Sequence, residues 1–77
     1  METIRYFEID MSSKENGEYS ICIKATHTPT KEEAKKFLKD DMNKFGYTDI
    51  DLIVETTLEE ARINYDMENE QKFPILR

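Results

Sequence analysis

Residues 28–46, TPTKEEAKKFLKDDMNKFG, carry the strongest structural signal in the chain, a helix with both of its ends marked. Thr30, followed three residues later by Glu33, has the pattern of a capping box, in which each side chain accepts a hydrogen bond from the other residue's backbone N–H. Gly46 stands where helices often end in a left-handed residue, a conformation that a Cβ would penalise. These signals predict a helix over residues 31–45.

One face of this helix is apolar, so the helix has to pack against another element. The apolar positions recur at helical spacing and are Ala34, Phe37, Leu38, Met42 and Phe45. Charged residues fall largely on the other face. We therefore expect the helix to lie on a sheet and to bury Phe37, Leu38 and Phe45 against it.

The segments before the helix have the alternation of two strands. In residues 3–11 the apolar positions of the predicted inner face are Phe7, Ile9 and Met11. In residues 18–26 one face carries Tyr19, Ile21, Ile23 and Ala25. Between them, SSKENG at residues 12–17 ends in Asn-Gly, a strong turn signal. The pattern predicts a β-hairpin.

A third strand and a short helix are predicted after the main helix. Residues 48–55 place Ile50, Leu52 and Val54 on one face, and Asp49, Asp51, Ile53 and Glu55 on the other. A second capping pattern, Thr57 with Glu60, predicts a helix from Leu58 to about Asp66.

The remaining tail, FPILR at residues 73–77, places large apolar side chains around Pro74 at a chain end. We expect it to dock, although proline argues against a central strand.

The element order ββαβα predicts one α+β domain over residues 1–77. We expect a small two-layer sandwich, with a three-stranded, mainly antiparallel sheet and the helices packed on one face. Placing the third strand beside the first gives the strand order 2-1-3. The order 1-2-3 remains open.

The chain is acidic, with 17 Asp and Glu against 11 Lys and Arg and a net charge of −6. Direct nucleic-acid binding is not expected, because phosphate contacts need local positive charge. A single cysteine, Cys22, excludes an intramolecular disulfide, and a single histidine, His27, leaves no His/Cys cluster for a structural metal. We find no membrane-length apolar run or signal peptide, and we expect a cytoplasmic protein without cofactor or membrane contact.

Two candidate chemical sites are outweighed by simpler interpretations. Asp49, Asp51 and Glu55 would face one way on a strand and could hold a divalent cation. No phosphate loop, general base or second acidic cluster accompanies them, and outward charges are expected on a half-exposed strand. Cys22 and His27 are five residues apart, about 16 Å along an extended chain. We therefore predict no catalytic residues and no enzyme.

A protein-binding surface is the constellation that remains. If the helices cover one sheet face, the other face has an apolar centre that includes Cys22, with carboxylates around it, a composition typical of protein contacts or self-association. The predicted partner-binding residues are Ile4, Tyr6, Glu8, Asp10, Asp49, Asp51, Ile53 and Glu55. The alternative is that the FPIL tail folds back and covers this face.

These observations predict a small acidic binding protein whose partner is a basic protein or a second copy of the chain. Carboxylates at i and i+2 of a strand stand about 6.5–7 Å apart, close to the spacing of successive phosphates, so the surface could mimic DNA. In size and charge the chain is similar to small acidic proteins of bacteriophages and mobile elements that inhibit nucleases, repair enzymes or CRISPR effectors. The alternatives are a structural homodimer and a divalent-metal-dependent module.

Overall fold

The computed structural model describes residues 3–65 and 73–76, which form an α+β fold. In chain order the elements are β1 (Arg5–Ser13), β2 (Gly17–Ala25), α1 (Lys31–Phe37), α2 (Lys39–Phe45), β3 (Asp49–Thr56), α3 (Leu58–Tyr65) and β4 (Ile75–Leu76). The predicted end of the last helix, at about Asp66, lies outside the described residues. Every helix in the described part of the chain is too short and too polar to cross a membrane.

The sheet has four strands in the order β3-β1-β2-β4. β1 is antiparallel to both of its neighbours, so the first three strands have the order 2-1-3, one of the two orders that the sequence leaves open. The prediction of a three-stranded sheet is corrected, because the tail adds β4 parallel to β2. Pro74 does not prevent this, because its carbonyl accepts a hydrogen bond from the Lys24 N–H (2.8 Å) and the strand lies at the sheet edge.

The hairpin forms as predicted and places the expected side chains in the core. Ser13 pairs with Gly17 across a three-residue loop, and Gly17 has a φ of 72°. Phe7, Ile9 and Met11 are buried on the face that also buries Ile23 and Ala25. The start of β2 differs from the prediction, because Tyr19 is 51% exposed.

The predicted single helix is interrupted. Its capping box is confirmed, since the Glu33 N–H donates to Thr30 Oγ1 and the Thr30 N–H donates to Glu33 Oε1, both at 3.1 Å. Leu38 then leaves helical geometry, with φ −99° and ψ 12°, and separates α1 from α2. Leu38 is buried as expected.

The expected burial of two phenylalanines is corrected. Phe45 is 56% exposed, and Phe37 is only partly buried against the core. Met42 is buried on α2, and Tyr47, which follows the turn, packs against the same core in place of Phe45.

Helices lie on both faces of the sheet, which corrects the prediction of a two-layer sandwich with all helices on one face. The main core joins α1 and α2 to β1, β2 and Ile50 of β3. On the opposite face, Ala61 of α3 packs with Cys22 and Phe73 in a second buried cluster. The connection from β3 to α3 is short, because Thr57 directly follows β3 and accepts the Glu60 N–H at 3.2 Å as the helix begins.

We expect Gly46→Ala to destabilise the protein more than Gly17→Ala. Both glycines have positive φ, 78° and 72°, where an alanine costs about 1 kcal/mol or more. A Cβ at Gly46 would lie 2.5 Å from Asn16 Nδ2, which donates to the Gly46 carbonyl at 3.0 Å, whereas a Cβ at Gly17 meets open space. Urea unfolding of both variants measures the difference. It should disappear in an Asn16→Ala background, and a difference that persists there would contradict the steric explanation.

Candidate functional site

A β-bulge in β3 decides which side chains reach the surface. Met11 pairs with Ile50 and Asp10 pairs with Leu52, so one step on β1 corresponds to two residues on β3. Asp51 is the additional residue, and beyond it the side chains change faces. The predicted faces of β3 are therefore wrong after Asp51: Ile53 packs against the main core, and Leu52 and Val54 point to the other side.

The three carboxylates of β3 do not form a row. Glu55 pairs with Phe7 across the strands and therefore lies on the face of α1 and α2. It forms a bidentate ion pair with Arg5, in which Nε donates to Oε2 at 2.9 Å and Nη2 donates to Oε1 at 2.8 Å. The same guanidinium donates to Thr28 Oγ1 at 2.9 Å. The hydrogen bond from Arg5 lowers the pKa of Glu55, so this interaction is present at neutral pH and is lost as the pH falls through that lowered pKa.

This geometry removes the basis of the alternative metal-site interpretation of Asp49, Asp51 and Glu55, because Glu55 faces the opposite way. Within residues 3–65 and 73–76 no group of three or more His, Cys, Asp or Glu side chains could hold a metal ion.

The residues of the predicted apolar centre do not form one exposed surface, because the tail covers some of them and others lie on different faces of the sheet. Phe73 is buried and packs with Cys22 and Ala61, and the Tyr6 ring meets it edge-on with centroids 6.4 Å apart. Of the other members, Ile4 is exposed before β1 and Ile53 lies on the opposite face. The tail thus covers the part of this surface around Tyr6 and Cys22, where the alternative interpretation placed it. A dimer through Ile4, Tyr6 and Ile53 has no common face on which to form.

Burial lowers the acidity of the two nucleophilic groups under this cover. Desolvation, with a further contribution from the Glu8 carboxylate, raises the pKa of Cys22 to about 11. The buried Tyr65 hydroxyl has no acceptor in full hydrogen-bond geometry among the described residues, and burial followed by Glu8 raises its pKa as well. Both pKa shifts are opposite to the lowering that activates a nucleophile.

His27 lies outside this cluster, and its Nε2 is 2.8 Å from Glu33 Oε2 on α1.

We call the face of the sheet that carries α3 and Phe73 the outer face. Beside them on this face, two cross-strand pairs remain at least partly exposed. Glu8 pairs with Val54 and Asp10 pairs with Leu52, and we call these four residues the outer patch. Leu52 is 51% and Val54 43% exposed, although both are apolar. Ser20 Oγ donates to Asp10 at 2.6 Å and holds that carboxylate in position.

The outer patch continues into a shallow depression of about 280 Å³ towards the hairpin. The residues that line it are Asp10, Met11, Glu18, Tyr19, Ser20, Asp51 and Leu52. Three carboxylates therefore surround a partly apolar floor. Three of the predicted partner-binding residues lie at this surface, namely Glu8, Asp10 and Asp51. A fourth, Asp49, is exposed at the start of β3. The partner-binding role of these residues stays a prediction.

An aromatic cluster at the surface, not predicted from the sequence, joins two exposed rings to the partly buried Tyr47. Tyr19, Phe45 and Tyr47 line a second depression of about 180 Å³. The rings of Tyr19 and Tyr47 stack, with centroids 5.6 Å apart and planes at 12°. Periodicity gave no signal for this cluster, because Tyr19 and Phe45 fit core-facing positions in their own segments and Tyr47 lies in the connection between α2 and β3.

No protein-family model matches this sequence, and no curated protein or solved structure is significantly similar to it.

Proposed function

We propose that the protein is a small non-enzymatic binding module whose outer patch contacts a basic surface of another protein. The observation that supports this proposal is the bulge at Asp51. It turns Leu52 and Val54 towards the side that carries Glu8 and Asp10. Exposed apolar side chains beside polar ones give a protein contact both buried area and a polar rim.

The sign of the charge favours a basic partner. The carboxylates at and around the outer patch are those of Glu8, Asp10, Glu18 and Asp51, whereas five of the 11 Lys and Arg residues lie on α1 and α2. Complementary charge raises the rate of association and disfavours partners of like charge. A nucleic-acid-handling protein has such a basic surface, because it binds phosphates.

The DNA-like part of the proposal rests on β1. Glu8 and Asp10 are at i and i+2 of a regular strand on one face, which places them about 6.5–7 Å apart. The spacing expected along Asp49, Asp51 and Glu55 is interrupted by the bulge and by the ion pair with Arg5. A protein that recognises this module should therefore be displaced from it by duplex DNA.

We expect Asp10→Asn with Asp51→Asn to slow association with a partner captured from host lysate. The two changes remove charge but keep size, and loss of steering should reduce the association rate about three- to tenfold at low salt. Surface plasmon resonance with the purified partner measures this rate and its displacement by duplex DNA.

The matched control is Glu32→Gln with Asp40→Asn, which removes the same charge from exposed positions on α1 and α2. A control that slows association as much as the outer-face variant would contradict the proposed surface. If duplex DNA does not displace the partner, the DNA-like part of the proposal is contradicted. The proposed binding module is not contradicted by that result.

A further inference from the structure

β3 is an edge strand of the sheet. Seven of its eight residues, all except Asp51, pair with β1 on one side, and no other strand of the described chain pairs with it. On the other side of the sheet, β4 pairs only with Lys24 and Ala25, so β2 has a second unpaired stretch over residues 17–23 of the described chain. An edge strand presents a row of backbone N–H and C=O groups, which an extended segment of another protein can use to add a strand.

The charges of β3 distinguish between possible added strands. Asp49 and Asp51 are exposed and have no counterion in the described structure, whereas Glu55 is paired with Arg5. A second copy of β3 would bring like charges together, which destabilises cross-strand pairs. The bulge at Asp51 also disturbs edge-to-edge pairing between copies. Both features select against self-pairing, and the charge favours a strand that carries Lys or Arg.

The exposed side chains of β3 supply the contacts that such a strand needs. Leu52 and Val54 lie two residues apart on the outer side, the spacing at which alternate side chains of a neighbouring strand lie. Backbone hydrogen bonds would supply affinity and these side chains would supply specificity.

We propose that a basic extended segment of the partner adds to β3 as a further strand of the sheet. Its Lys or Arg side chains reach Asp49 and Asp51, and its apolar side chains contact Leu52 and Val54. This inference rests on the proposed function and specifies how the basic partner binds.

The test uses the full chain and two synthetic peptides, each as long as β3, that carry two Lys and two Val at alternate positions with Thr between them, so that all four side chains lie on one face of an added strand. One peptide is unmodified, and the other is N-methylated on consecutive central residues, which blocks both of its edges while keeping its charge and side chains. Loss of the hydrogen bonds should weaken binding about tenfold or more. NMR titration gives the affinities, and amide hydrogen exchange shows whether the unmodified peptide protects β3.

A protein variant completes the experiment. Asp49→Lys with Asp51→Lys should lose at least about tenfold in affinity for the unmodified peptide through charge repulsion. Glu32→Lys with Asp40→Lys makes the same charge change on α1 and α2 and should reduce affinity much less.

Equal binding of both peptides, absence of binding, or protection away from β3 would overturn strand addition. Concentration-dependent dimerisation of the chain with protection of β3 would assign this edge to a second copy and would also overturn it. These outcomes are separate from the capture experiment: slower association of the Asp10/Asp51 variant, together with equal peptide binding, would retain the binding module and reject the added strand.

Discussion

Replacement of Phe7 by alanine should leave the protein largely unfolded. Phe7 lies on the central strand β1 and is fully buried, with Ile23 opposite it on β2 and the Arg5 guanidinium 5.1 Å from its ring centroid. Truncation of a buried phenylalanine costs about 3–5 kcal/mol. A domain of this size has a stability near the lower end of about 5–15 kcal/mol, so the loss removes most of it.

Thermal unfolding followed by circular dichroism measures the effect of Phe7→Ala, and Phe45→Ala is the matched control. The control makes the same chemical change at a side chain that is 56% exposed, where the expected effect is within about 0.5 kcal/mol. The sequence predicts burial of Phe37, which the structure shows to be only partly buried. A Phe7→Ala melt within a few degrees of wild type would mean that this core is wrongly described.

Phe73→Ala should have an effect of similar size, about 3–5 kcal/mol, but confined at first to one face of the sheet. Phe73 lies in the tail and packs with Ala61 and Cys22. Because Phe73 is outside the main core, which the tail touches only through the partly buried Leu76 among the described residues, the tail can detach while β1 and β2 stay paired. Loss of Phe73 therefore uncovers the Cys22 thiol before the whole protein unfolds.

The rate at which Cys22 reacts with a thiol reagent under native conditions measures this uncovering. In the wild type the thiol is 1% exposed and burial raises its pKa to about 11, both of which oppose reaction. We expect Phe73→Ala to accelerate modification at least about tenfold. Ile63→Ala, at a position 79% exposed on α3, should leave the rate unchanged. If the Phe73 variant reacts as slowly as wild type, the tail does not protect this cysteine.

The structure places the predicted partner-binding residues on two different faces of the sheet. Glu8 and Asp10 lie on one face because β1 is regular, and strict alternation places such residues correctly. Strict alternation through Asp51 predicts the same face for Ile53 and Glu55, whereas the bulge places both on the opposite face. The one sequence signal against this was Ile53 itself, an apolar residue among outward-facing carboxylates. The apolar residues of β3 fit either assignment of inner and outer faces, and only the pairing with β1 decides between the two assignments. These residues are Ile50, Leu52, Ile53 and Val54.

The sequence by itself determined the local elements. The capping box at Thr30, the Asn-Gly turn before β2 and the inner face of β1 depend on contacts between residues close in the chain or on strict alternation. Tertiary structure decided the bulge, the face on which α3 packs, and the burial of Phe73. Each of these depends on contacts between distant segments. α3 has a thin apolar stripe that fits either face of a sheet, and Phe73 becomes buried only when Cys22 and Ala61 have already been brought together.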